Sequence, residues 1–80
     1  MLKHVVVERG KRSHKLLQVK YQAVDTDKYY IWDSKITDKA AMEAIAEICR
    51  DAVCTGHYRQ RAFYEMDIDE SEIMAALAKI

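Results

Sequence analysis

Residues 17–23, LQVKYQA, alternate without a break. Leu17, Val19, Tyr21 and Ala23 fall on one side of an extended chain, and Gln18, Lys20 and Gln22 on the other. A period of two with one polar side describes a strand in a sheet packed on one face only. That requirement constrains everything else the chain can do, because the apolar side needs a second layer to cover it.

The neighbouring segments fit such a sheet. A first strand is expected over Leu2–Glu8, with Val5 and Val7 on one face and His4, Val6 and Glu8 on the other. A polar loop around Gly10 joins it to a second strand over His14–Val24, at hairpin length. Asp25-Thr26-Asp27 reads as a turn whose carboxylates can bond their own backbone. KYYIWD, residues 28–33, is rich in aromatic and β-branched residues and is expected to be a third strand. Thr37 is placed as a helix cap, with Asp38 in the first turn where the dipole favours negative charge. Ala41, Ile45, Ile48, Cys49 and Ala52 recur at helical spacing, and Gly56 is expected to end that helix.

After Gly56, residues 57–66 read as a fourth strand, with a helix as the alternative for so short a run. Tyr58, Ala62, Tyr64 and Met66 would point inward, and His57, Arg59, Arg61 and Phe63 outward. Asp69-Glu70-Ser71-Glu72 then opens a second helix with a capping-box variant, and Ile73, Met74, Leu77 and Ile80 form its apolar stripe. The order β-β-β-α-β-α implies an α+β two-layer sandwich, in which an antiparallel sheet of three to four strands carries two helices on one face. Residues 1–80 are expected to form one compact domain, short enough to bury only roughly 60–65% of the unfolded chain's surface. The outline of three strands and a helix over residues 2–54 is shared by small sheet-based DNA-binding domains and by many other folds, so it assigns no function.

Composition removes several function classes. Charged residues make up 32% and hydrophobic residues 50%, a balance that folds. No apolar run approaches the ~18 residues of a membrane span, and the opening MLKHVVVERG is too short in apolar residues for a signal peptide. Cys49 and Cys54, both placed on the first helix, are free thiols rather than a disulfide framework, which points to the cytoplasm. With His57 they lack the two tight ligand pairs of a structural zinc site, so no metal is expected. Cys54 at a helix C-terminus would be a poor nucleophile. The carboxylates of Asp25, Asp27 and residues 65–72 fall in exposed turns and caps rather than in a shielded pocket. Two glycines cannot build a phosphate cradle. A drug-sized pocket would also hollow out so small a core. The chain is therefore read as a non-enzyme without a cofactor.

What remains is charge and aromatic surface. Net charge is zero, yet residues 1–35 carry eight Lys or Arg against four acids, whereas residues 36–80 carry five against nine. RGKRSHK, residues 9–15, places Arg9, Lys11, Arg12 and Lys15 on one hairpin tip. Lys20, Arg59 and Arg61 would extend it across the open face, where Phe63, Tyr30 and Trp32 could stack or pack. A polar tip also has a bland explanation, since hairpin ends face water and lysine there discourages edge pairing. These residues outline a small regulatory or inhibitory module for a macromolecular target, with a protein favoured. A nucleic-acid-binding accessory protein is the alternative. Compact chains without motifs are common among phage and mobile-element products. The Ala-rich helix would in addition allow a homodimer.

Overall fold

The valine run at the start of the chain forms the centre of the molecule. In the computed structural model, which describes residues 1–24 and 32–80, β1 (Leu2–Gly10) lies between β2 (Leu16–Ala23) and β5 (Arg61–Asp69). The short β3 (Ser34–Ile36) pairs with β2, and β4 (Val53–Tyr58) pairs with β5, giving the order β3-β2-β1-β5-β4. Every pairing is antiparallel. Two helices, α1 (Lys39–Ile48) and α2 (Glu70–Ala78), complete an α+β fold of five strands rather than three to four, in the order β-β-β-α-β-β-α.

The core follows from the alternation. Val5, Val7, Val19 and Tyr21 are buried against Met42, Ile45 and Ala46 of α1 and Ile73 of α2. Ile45, Ile73, Val5 and Val19 are sealed off completely, and burying an aliphatic side chain of this kind stabilises by about 1.5–3 kcal/mol. One position moves. A bulge between Glu8 and Arg9 sets Leu16 opposite Arg9, so Leu16 packs against the core while Leu17 stays exposed.

Several boundaries differ from the sequence reading. Of the third strand, residues 28–31 lie outside the described residues, as does the turn at 25–27. Trp32 and Asp33 are not in a strand, and the pairing that does occur is Ser34–Ile36 against Tyr21–Val19. Asp38, not Thr37, caps α1 and accepts a hydrogen bond from the Ala41 amide at 3.0 Å. The ionised carboxylate one residue on is the stronger acceptor.

The helix stops at Ile48 rather than continuing to Gly56. Val53-Cys54-Thr55, poor helix formers together, instead open β4. Gly56 sits at a bulge in that strand with open space where its side chain would be. The two cysteines therefore do not share a helix: Cys49 caps α1 and Cys54 lies in β4. The single strand expected over 57–66 is two strands folded at Arg59–Gln60. Ala62, Tyr64 and Met66 face the core as expected, but Tyr58 ends β4 with 62% of its surface exposed.

The start of α2 follows its sequence signal. The Asp69 side chain accepts from the Ser71 amide at 2.9 Å, and Glu70 and Glu72 occupy the first turn. The Ser71 hydroxyl also donates to Asp69, and it and the amide hold the Asp69 carboxyl down at about 2. Ile73 and Ala76 are the buried positions of α2, whereas Met74 and Ile80 are exposed.

Candidate functional site

At the C-terminal end of β1 the chain turns through residues 11–15. The sequence gives the turn to Gly10, yet the left-handed residue is His14, at φ 60°. Gly10 closes the loop by donating its amide to Lys15 O at 2.8 Å, and its carbonyl accepts from the His14 amide at 3.0 Å. Its missing side chain leaves room for Ser13, whose Oγ would lie 2.3 Å from an added Cβ. The β4–β5 turn comes to the same end of the sheet, where Lys11 donates its amide to Gln60 O at 2.8 Å. The two hairpin tips are thus side by side. Arg9, Lys11, Arg12 and Lys15 belong to one hairpin and Arg59 and Arg61 to the other.

Behind the tips, on the face opposite the helices, Lys20 and Arg61 do line up. Between them stands Glu8, only 4% exposed. Its carboxylate accepts from Arg61 Nη1 at 3.0 Å and lies 3.3 Å from Lys20 Nζ. Lys20 Nζ is also 4.6 Å from the centre of the Trp32 ring, a cation–π distance. Two of the cations expected to extend the basic tip across the open face are therefore already engaged, by a carboxylate and an indole. Arg59 sits in the turn at φ 58° with its guanidinium 5.3 Å from the Tyr58 ring centre. Phe63 and Trp32 are half-buried, and Tyr30 lies outside the described residues. Val6 on this face is 5% exposed although neither helix covers it.

On the helix side of the same end lies a cleft that no sequence motif marks. It has a volume of about 960 Å³. One wall is a stripe of α1 at helical spacing, Lys39, Met42, Glu43 and Ala46, and the other is the base of the β1–β2 hairpin. Val7, Leu16, Met42, Ala46 and Tyr64 give it an apolar floor. Arg9, His14, Lys15, Lys39 and Arg50 stand around it, opposed by Glu43 and Glu47. Arg50 and Glu47 approach each other at 3.4 Å across exposed surface, a contact of little energetic weight. The cleft is a surface groove floored by the edge of the core, so it does not hollow out the fold. The signal for it was present in Leu16 and Met42, but which residues meet at the rim depends on how α1 crosses the sheet.

The remaining reactive side chains are scattered. Burial, and then the nearby Glu72 charge, push the Cys49 thiol up to about 11 at the edge of the cleft, which leaves it protonated and unreactive. Cys54 is exposed on β4 with His57 Nε2 3.9 Å from its sulfur. Among the described residues, no group of three or more His, Cys, Asp or Glu side chains is arranged to hold a metal ion. A cluster the sequence did not reveal lies at the far end of the open face. His4 Nδ1 is 2.7 Å from Asp67 and its Nε2 is 2.7 Å from Glu65. Burial pulls the imidazole pKa down, but the two carboxylate partners outweigh it and the net shift is upward. Glu65 also accepts from Thr55 of β4, and against its own burial these bonds draw its carboxyl below the usual range.

No family model, curated protein or solved structure matches this chain.

Proposed function

We propose that the protein is a small non-enzymatic regulatory or inhibitory module that binds a macromolecular target, a protein in preference to a nucleic acid. The observation that carries this reading is the cleft, whose apolar floor and mixed, mainly basic rim suit a folded or helical protein segment better than a phosphate backbone. Pairing of Lys20 and Arg61 with Glu8, which cancels half of their charge, supports it from the other face. The module works in the cytoplasm, where the exposed Cys54 thiol stays reduced. A homodimer through α1 has less surface available than its alanines imply, since Ala46 is buried and Ala41 and Ala44 are half-buried.

The second reading, a nucleic-acid-binding accessory protein, has one observation in its favour: the contact from Lys11 to Gln60 brings both basic tips to one end. Binding to random duplex and single-stranded DNA over a salt series separates the two. The protein-binding module shows dissociation constants no tighter than roughly millimolar at about 50 mM salt. Micromolar binding that weakens steeply with salt, and that is lost when Arg9, Lys11 and Arg12 are changed to Ala, would replace it with the second reading.

A further inference from the structure

We propose that the cleft between α1 and the base of the β1–β2 hairpin receives an acidic segment of a protein partner, anchored by one or two apolar side chains. This rests on the reading of the chain as a protein-binding module. Charge complementarity selects the occupant. Four permanent cations, Arg9, Lys15, Lys39 and Arg50, surround an apolar floor, against the two carboxylates Glu43 and Glu47. A basic or neutral segment would leave that excess unmatched.

The floor excludes a purely ionic ligand. Leu16 and Tyr64 are only partly covered where they pack on the core, and an apolar anchor seated on them removes that surface from water. Length fits as well. The wall supplied by α1 runs its ten residues, about 15 Å at the rise of a helix, which is enough for two to three turns of a partner helix or about four to five extended residues. Nucleic acid fits less well, because the floor is mostly aliphatic and offers Tyr64 alone for stacking. On the rim, Lys15 and Lys39 are exposed and have no ion-pair partner among the described residues. With Arg9, which among the described residues bonds only the His14 carbonyl, they are free to meet incoming carboxylates.

The test is an amide-resolved NMR titration of the full chain with synthetic peptides of about twelve residues. One peptide alternates Asp or Glu with Leu and Phe, a second carries Lys in place of the acids, and a third carries Ser in place of the apolar residues. The acidic apolar peptide is expected to shift the amides of Leu16, Met42, Ala46 and Tyr64, and both controls to bind about tenfold more weakly or worse. The double variant Lys15→Glu/Lys39→Glu alters exposed side chains only, so its thermal melt matches the unaltered protein while its affinity for the acidic peptide falls about tenfold. Equal binding of the Lys peptide, shifts confined to β4 or the open face, or no shift at roughly millimolar peptide overturns the cleft assignment. If a protein partner held by the unaltered chain is held equally by the double variant, the cleft assignment fails and the module reading stands. If DNA alone binds, both fail.

Discussion

His4 shows how one side chain on a central strand can couple stability to pH. Both ring nitrogens face carboxylate oxygens at 2.7 Å, an arrangement only the doubly protonated imidazolium satisfies. Its folded pKa is raised above the ordinary 6.5. The folded state therefore binds the proton more tightly than the unfolded one, and the resulting stability is complete below about 6.5 and is lost as pH rises through the elevated value. Glu65 works in the opposite sense, because its folded pKa is lowered from 4.5. Its contribution is present above that value and is lost as pH falls through the depressed one. Denaturant midpoints measured from pH 5 to 9 should decline on the alkaline side of 6.5. In His4→Gln that decline should flatten, with stability at pH 5.5 reduced by about 1 kcal/mol. A midpoint in the unaltered protein that is level from pH 6 to 9 would refute the imidazolium lock. None of this was legible in the sequence. His4, Glu65 and Asp67 become neighbours only through the β1–β5 register, which pairs residues more than fifty apart.

At the scale of elements, the alternation of β2 and the cap of α2 were readable because each is encoded within a few residues. The boundary between α1 and β4 was not. Ala52 continues the helical spacing of Ile45, Ile48 and Cys49, but the strand pairing of Val53 and Cys54 with Glu65 and Tyr64 takes precedence, as tertiary context commonly does over propensity. Missing β4 also meant missing that the sheet has an exposed edge there. VCTGHY carries no Lys, Asp, Glu, Arg or Pro, and Val53 is 67% exposed. Its bulge at Cys54/Gly56 is the one protective device within it. Val53→Lys is expected to reduce light scattering of concentrated solutions by at least about twofold, with the melting temperature changed by no more than a few degrees. Unchanged scattering would place self-association elsewhere. The basic residues of the candidate site were legible as a group from the charge run at 9–15. Their division between a free tip and the Glu8-bound pair Lys20 and Arg61 depends on which side chains share a face across three strands.

Over the whole molecule, the sequence's charge asymmetry becomes a spatial one along β1. Arg9, Lys11 and Arg12 cluster at one end beside Arg59. At the other, Asp69 holds the N-terminal amine at 3.2 Å, and Lys3 lies 2.5 Å from Asp33 and 3.5 Å from Glu70. These contacts, the hydrogen bond to Asp33 foremost, raise the Lys3 pKa. Glu8 interrupts the basic end from within. Glu8→Gln should release Lys20 and Arg61 and cost about 1–2 kcal/mol in stability. It should also strengthen binding to random duplex DNA at least about threefold at low salt. No gain in DNA binding in a folded Glu8→Gln protein would show that the open face is barred by shape rather than by charge. The same strand order carries a consequence for how the chain is made. β1, the earliest strand along the chain, pairs on one side with β2 and on the other with β5, the last. During synthesis the β1–β2 hairpin must therefore persist with one hydrogen-bonding edge of its central strand uncovered until Arg61–Asp69 has left the ribosome. Until then β1 stays open to wrong partners along that edge.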